Sequence, residues 1–227
     1  SITSSALGKG TLTFNGGTLS SDGSTSRTFY NALTFTNDAT LGDGTNTGSL
    51  IFGAAGDLGS ATRTVTVAAN TTAEFDGILS SATSATGLTK SGTGTLILGG
   101  ANTYTGPTTI SGGTLQLGAS GSLSASTGLS MSGTGILDLY GRSLSFASLT
   151  GATGNTILNS RSSTTSTLTV TGGTTTYAGV IENNAGSGGT VALTVNGATL
   201  TLTGANTYSG GTTLTSGVLL VGVASSG

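Results

Sequence analysis

The side chains that could carry out hydrolysis are few in this chain of 227 residues. Its eight carboxylates are Asp22, Asp38, Asp43, Asp57, Glu74, Asp76, Asp138 and Glu182. Glycoside hydrolysis needs two carboxylates about 5 to 10 Å apart across a cleft, and only Glu74 and Asp76 are close together on one face of a predicted strand. We interpret this pair as solvent-facing, because the clustered acids and bases of β-helical pectinases and lyases are missing. Since the chain has no His, a Ser-His-Asp triad is excluded, and we predict no catalytic residue.

Metal and cofactor sites are also not expected. The loop from Asp38 to Gly44 carries two carboxylates that could hold Ca²⁺, but it lacks the Gly-Gly-x-Gly-x-Asp repeat of calcium-binding β-rolls. The absence of Cys excludes a thiolate metal site. Gly8-Lys9 is followed by Gly10 and not by Ser or Thr, so it is not a phosphate-binding loop.

Two tripeptides are the most tempting binding motifs. Asn102-Thr-Tyr104 returns as Asn206-Thr-Tyr208, and the two Tyr rings could form a row on which sugars stack. The alternative is structural: Asn tolerates left-handed turn geometry, and the ring of Tyr covers apolar surface. We favour the structural interpretation, with the Tyr rings on the surface of a rod.

Pairs of Thr separated by one residue raise the alternative of an ice-binding face. They occur at Thr11/Thr13, Thr34/Thr36, Thr64/Thr66 and Thr199/Thr201/Thr203. Thr is also favoured on the outer face of a strand, where it pairs with Thr of the neighbouring strand. We favour this second explanation.

The composition limits the partners. Only 6% of the residues are charged, against about 25% in ordinary soluble domains, which suits a protein fixed at a surface or packed in an assembly. The net charge is −2 and the six cations are scattered, so we expect no nucleic-acid partner. No segment approaches the roughly 18 apolar residues of a membrane helix, and we expect no membrane insertion. Residues 1–5 lack the features of a signal peptide.

Internal repeats dominate the organisation of the chain. Residues 96–118 return as residues 200–222 with 13 of 23 positions identical. Short apolar-x-apolar segments with Thr or Ser between them recur throughout, as in Leu12-Thr-Phe14 and Leu115-Gln-Leu117. This period of two is typical of half-buried strands.

The spacing of these strands predicts a parallel β-helix. They recur at roughly 15 to 24 residues, as for one coil of a three-sided solenoid, whereas an antiparallel sandwich spaces its strands by about 8 to 12 residues. We expect about 11 coils, a rod on the order of 50 Å long at about 4.8 Å per coil, and no helix. The Leu and Phe residues of the strands should form one continuous inward column.

The repeated motif resembles the passenger-associated transport repeat of bacterial autotransporters, also called the autotransporter-associated β strand repeat. Residues 88–118 match almost throughout, whereas residues 193–222 lack one residue and the Lys of the first copy. The resemblance implies a right-handed, single-stranded parallel β-helix that is exported through the outer membrane. The residues expected to build the repeat structurally are Gly92, Gly94, Leu96, Leu98, Asn102, Tyr104, Gly106, Gly113, Leu115, Leu117, Asn206, Tyr208, Gly210, Gly217 and Leu219.

We expect residues 1–227 to form one continuous β-helix segment. Residues 60–118 form one module, residues 119–222 a second, and residues 1–59 a partial, degenerate one. Since neither end carries a capping segment, the chain is expected to be an internal piece of a longer rod or a subunit that stacks end to end into a fibre.

The expected function is that of an extracellular structural or adhesive protein, and not an enzyme. The expected partners are the outer-membrane translocator barrel of the parent protein, a host or glycan surface, and further copies bound end to end or side to side. The alternatives are a carbohydrate-active enzyme on the same scaffold and a Thr-face ice binder.

Overall fold

The structure is a computed structural model that describes residues 7–83, 85–124, 127–186 and 188–222. These ranges contain strands and turns and no helix, so none of them offers a helix long and apolar enough to cross a membrane. The prediction of an all-β chain is confirmed. The expectation that residues 1–5 are not a signal peptide lies outside the described residues.

Twenty-four strands, numbered along the chain, form three parallel sheets in the described residues. The first sheet contains β1 (Leu12–Phe14), β4 (Leu33–Phe35), β7 (Gly56–Asp57) and β10 (Leu79–Ser80). The third sheet contains β3 (Arg27–Phe29), β6 (Leu50–Phe52), β9 (Thr72–Phe75), β12 (Thr95–Leu98), β14 (Thr114–Leu117), β16 (Ile136–Asp138), β19 (Thr156–Leu158) and β22 (Val180–Ile181).

The second sheet runs along most of the described chain. It contains β2 (Thr18–Leu19), β5 (Ala39–Leu41), β8 (Arg63–Val67), β11 (Leu88–Ser91), β13 (Thr108–Ile110), β15 (Gly128–Met131), β18 (Ser148–Gly151), β21 (Thr174–Tyr177), β23 (Thr190–Leu202), β20 (Thr165–Val170) and β17 (Leu144–Phe146), with β24 (Thr212–Val221) paired to β23. Strands of one sheet belong to successive coils, because the chain visits the other sheets before it returns. This is the predicted parallel solenoid.

The described coils number about nine, and the prediction of about 11 was wrong. Paired residues on neighbouring coils are separated by 19 positions between Thr95 and Thr114 (114 − 95) and by 26 between Ala39 and Val65 (65 − 39). The predicted spacing of 15 to 24 residues covers most of these separations, and the longest exceeds it by two residues. The predicted number of coils was too high because some of the apolar segments belong to different sides of the same coil. At about 4.8 Å per coil, nine coils give a stack of about 43 Å.

Alternation along each strand places the core inside the coils. In β14, Leu115 and Leu117 are fully buried, whereas Thr114 and Gln116 are half-buried on the outer side. The same pattern continues through the stack and joins the inward Leu, Val, Ile and Phe residues into one cluster. The predicted inward column of apolar side chains is confirmed.

Aromatic rings fill the part of this column that is nearest the N-terminus. Phe29, Phe52 and Phe75 stack with centroid distances of 5.2 and 4.9 Å. Phe14 and Phe35 form a second stack at 4.8 Å. Beyond Phe75 the same register continues with leucine, so the stacks end within the first half of the chain.

Candidate functional site

Asn102, the first polar residue of the repeated motif, is buried between coils. Its Oδ1 accepts a hydrogen bond from the amide of Leu79 at 2.8 Å, and its Nδ2 donates to the carbonyl oxygens of Gly100 and Ser122, both at 3.0 Å. Its φ is not positive. The prediction that Asn is present for left-handed geometry was therefore wrong: the side-chain amide connects three successive coils instead.

Tyr104 lies in the core, and not on the surface of the rod as we expected. The residue is fully buried, and its hydroxyl shares a hydrogen bond of 2.7 Å with the hydroxyl of Thr108. Burial raises the pKa of the Tyr104 phenol well above its usual value. A ring at this depth cannot stack against a sugar from solution.

The second copy of the motif repeats these contacts. Asn206 accepts a hydrogen bond from the amide of Ile181 at 2.8 Å and donates to the carbonyl of Gly204 at 3.0 Å. The Tyr208 hydroxyl lies 2.7 Å from the Thr212 hydroxyl, as Tyr104 does from Thr108. Tyr208 is half-buried and packs against the core cluster. Both copies therefore build the same corner of a coil.

The glycines of the motif lie against the backbone of a neighbouring coil. A Cβ at Gly106 would lie 2.4 Å from the nitrogen of Gly87, and one at the equivalent Gly210 would lie 2.5 Å from the oxygen of Val191. Cβ positions closer than 3.0 Å to a backbone atom of another coil also occur at Gly92, Gly94, Gly113 and Gly217. Leu96, Leu98, Leu115 and Leu117 are fully buried, and Leu219 is partly buried against the core.

Lys90, one of the six scattered cations, is buried. It occupies an inward position of β11 with no exposed surface, and its Nζ donates to the carbonyl oxygens of Ser91, Gly92 and Gly112 at 2.8, 2.9 and 3.1 Å. Burial lowers the pKa of Lys90 to about 8. The inward position was visible in the sequence, since Leu88 and Lys90 alternate with Thr89 and Ser91.

The carboxylates are not arranged for hydrolysis. Burial raises the pKa of Glu74, and the neighbouring Asp76 carboxylate raises it further. The two acids lie on one strand and the turn that follows it, with Glu74 half-buried and Asp76 exposed. They therefore share one outer surface and do not face each other across a cleft.

The predicted calcium loop uses its carboxylates for hydrogen bonds within the protein. Asp38 accepts the amide of Thr64 at 2.8 Å, and Asp43 accepts the amides of Asn46 and Thr45, each at 2.8 Å. The bonds from Asn46 and Thr45 lower the pKa of Asp43 to about 2. Within the described ranges, no group of three or more metal-binding side chains comes together.

Hydroxyl side chains form ladders on the outside of the second sheet. Thr64, Thr89 and Thr109 are aligned on successive coils, followed by Ser130 and Thr150. In a second row beside this one, Thr66 and Ser91 are aligned on neighbouring coils, and their hydroxyls share a hydrogen bond of 2.7 Å. The predicted pairing of Thr with Thr across coils is confirmed for Thr64 and Thr89.

Comparisons with known proteins agree with this architecture. The family described as passenger-associated-transport-repeat matches residues 88–117 and 193–221, so the chain carries two such repeats. The adhesin BmaC autotransporter of Brucella suis biovar 1 (strain 1330) is 38% identical over 143 residues, which cover 58% of this chain. The chain spans 4% of the length of that relative. No solved structure matches significantly.

Proposed function

We propose that this chain, which carries two passenger-associated transport repeats, is a stalk segment of an exported autotransporter passenger that contributes to adhesion at the bacterial surface. The observation that carries this proposal is that the polar side chains of the repeat motif are buried. Asn102 forms a hydrogen bond to the neighbouring coil, and Tyr104 forms one within its own coil. The motif thus stiffens a rod and leaves binding to the outer faces.

Similarity to an adhesin supports the adhesive part of the proposal. Half-buried and exposed Thr, Ser and Asn residues on the outer faces provide many hydrogen-bonding groups at the regular spacing of the coils. The arrangement of the carboxylates gives no support to an enzyme.

The partners follow from the same proposal. They are the outer-membrane translocator barrel of the parent protein and a host or glycan surface. Association with other copies, end to end or side to side, is a separate proposal. Electron microscopy of the purified chain at several concentrations tests it, because a strictly monomeric rod would rule out a head-to-tail polymer.

The division into modules is also proposed. Residues 60–118 and 119–222 would each be one module with a motif copy, after the degenerate residues 1–59, and the fifteen motif residues would act structurally in both. Limited proteolysis tests the boundaries, since cleavage should concentrate near residues 59 and 118 if the modules are independent units.

Bacteria that carry the full parent protein provide the test of the function. An epitope inserted in the exposed turn at Gly16 and Gly17, where no neighbouring atom lies within 4 Å of a Cβ position, should be detected on intact cells. Beads coated with the purified chain should adhere to host cells or extracellular matrix above beads coated with an unrelated protein. A tag that is detected only after cell lysis would refute export, and beads that do not adhere would refute the adhesive role.

A further inference from the structure

The turn that follows β16 presents an aromatic ring in a strained backbone conformation. Tyr140 and Gly141 both have positive φ, 43° and 76°, and the Arg142 amide donates to the Leu139 carbonyl at 2.8 Å. These are the features of a type I′ turn, in which Asn, Asp or Gly usually occupies the first central position. A bulky residue there costs conformational energy.

Buried polar groups of three coils hold this turn in place. Asp138 is 4% exposed, and its Oδ1 accepts the amides of Tyr140 and Ser160, each at 3.0 Å. Its Oδ2 accepts Gln116 Nε2 and the Ser160 hydroxyl, each at 2.6 Å. The Gly141 amide donates to Asn159 Oδ1 at 2.7 Å. The ring of Tyr140 is thus carried on a rigid support, with 37% of the residue exposed.

Positive charge lies next to the ring. The guanidinium of Arg161 lies over one side of the Tyr140 ring, 5.8 Å from its centroid, and Arg142 follows Tyr140 in the same turn. In the part of the chain that the structure describes, Arg27 and Asp22 form the only ion pair. Arg142 and Arg161 therefore have no carboxylate partner there, and the four acceptor positions of Asp138 are taken by uncharged donors.

We propose that Tyr140, Arg142 and Arg161 form a binding site for an anionic sugar unit of a polysaccharide. The apolar C–H face of a sugar ring packs on an aromatic ring, and its carboxylate or sulfate accepts charge-assisted hydrogen bonds from a guanidinium fork. The proposal rests on the proposed adhesive function and names one of its contacts.

The surroundings favour a sugar over other anionic ligands. A peptide that binds by adding a strand needs a free strand edge, but β16 is paired on both sides, by β14 and by β19. An acidic peptide held by arginine side chains alone is tested with polyglutamate. A nucleic acid needs a row of cations along its phosphates, and this chain has six cations in all. One aromatic ring with two guanidinium groups fits a single acidic sugar unit.

Titration of the purified chain with three hexasaccharides tests the proposal. The probes are a hyaluronan fragment with carboxylates, a heparin fragment with sulfates, and neutral chitohexaose. At least one anionic probe should bind, more weakly as salt is raised, and the neutral probe should bind at least about tenfold less tightly, a difference of about 1.4 kcal/mol. The two anionic probes distinguish carboxylate from sulfate recognition.

Variants separate a binding role from a structural one. Tyr140→Asn removes the ring but suits positive φ, so the Kd for the anionic probe should rise by about tenfold or more while thermal stability is kept or increased. Arg161→Gln should weaken binding and reduce its salt dependence. The matched controls are Tyr30→Asn, at another exposed tyrosine, and Lys9→Gln, at an exposed cation; both should bind as the unchanged chain does.

Several outcomes would overturn this site. They are no binding of either anionic probe, equal binding by Tyr140→Asn and Arg161→Gln, or equally tight binding of polyglutamate, which would point to acidic peptides. The bead assay separates this failure from failure of the proposed function. Beads that adhere equally with and without Tyr140→Asn would leave adhesion intact and exclude this site, whereas probe binding without bead adhesion would refute the adhesive role alone.

Discussion

The side-chain oxygen of Asn102 accepts a hydrogen bond from the backbone amide of Leu79, 2.8 Å away and one coil earlier in the stack. The same side chain donates to Ser122, one coil later. A buried side-chain amide that bonds on both sides thus adds to the backbone hydrogen bonds that join these three coils. Asn206 and the amide of Ile181 repeat the relationship in the second motif copy.

Replacing this residue with an apolar one of similar size should destabilise the rod strongly. Asn102→Leu would leave the buried Leu79 amide without its side-chain acceptor, whereas the Ser122 carbonyl would keep the bond from the backbone amide of residue 102. The expected cost is about 1 to 3 kcal/mol in the free energy of unfolding. Chemical denaturation measures this. Asn206→Leu is the matched control and should cost less, because Asn206 is only half-buried. Equal losses would contradict the assigned role of burial.

Lys90 predicts a dependence of stability on alkaline pH. Its pKa is lowered to about 8 by burial, from 10.5 in the unfolded chain. Below about pH 8, Lys90 is protonated in both the folded and the unfolded chain, and the buried charge destabilises the folded chain by its full amount. As the pH rises from about 8 to about 10.5, the folded state loses its proton first, so the free energy of unfolding should rise, by at most about 3 kcal/mol.

The comparison with Lys90→Met isolates this effect. Burial raises the pKa values of Tyr104 and Tyr177, so both proteins should lose stability above about pH 10, where the phenols of the unfolded chain ionise. Between pH 7 and pH 10, only the unchanged chain should gain stability. A parallel pH profile for Lys90→Met would show that another group is responsible.

Substitutions in β14 test the strand register. Leu115→Asp and Leu117→Asp would each bury an unpaired charge and should cost several kcal/mol, as judged from thermal melts. Equal tolerance at positions 115 and 116 would refute the register.

Gln116→Asp should not be silent, although the alternation along β14 places position 116 on the outer side of the strand. Gln116 donates to the Asp138 carboxylate at 2.6 Å, so an Asp there would place two carboxylates side by side. We expect a loss of about 1 kcal/mol at pH 7 that becomes smaller as the pH falls towards 4. Thr109→Asp, in an outer row of hydroxyls, is the control and should show no such pH dependence.

The sequence was sufficient to predict which side of each strand faces the core, because alternation has only two outcomes. Leu115 and Leu117 were placed correctly for this reason. It did not predict the depth of Tyr104, since a residue in a turn follows no alternation and its direction depends on the coils stacked around it. The Tyr140 turn was missed for a related reason: its support comes from Asp138, Asn159 and Ser160, which meet only when the coils stack.

Two adjacent glycines of the motif should respond in opposite ways to the same substitution. Gly113 has a φ of +60°, and a Cβ there would lie 2.4 Å from the Gly94 oxygen in the neighbouring coil. Gly113→Ala should therefore cost at least about 2 kcal/mol, from left-handed strain together with a backbone clash. At Gly112 the nearest atom to a Cβ would be 3.5 Å away and φ is not positive. Gly112→Ala should be neutral or stabilise by about 0.5 kcal/mol, because it restricts the unfolded chain. Thermal melts of the two variants side by side measure the difference, and similar melting temperatures would refute this account of the turn.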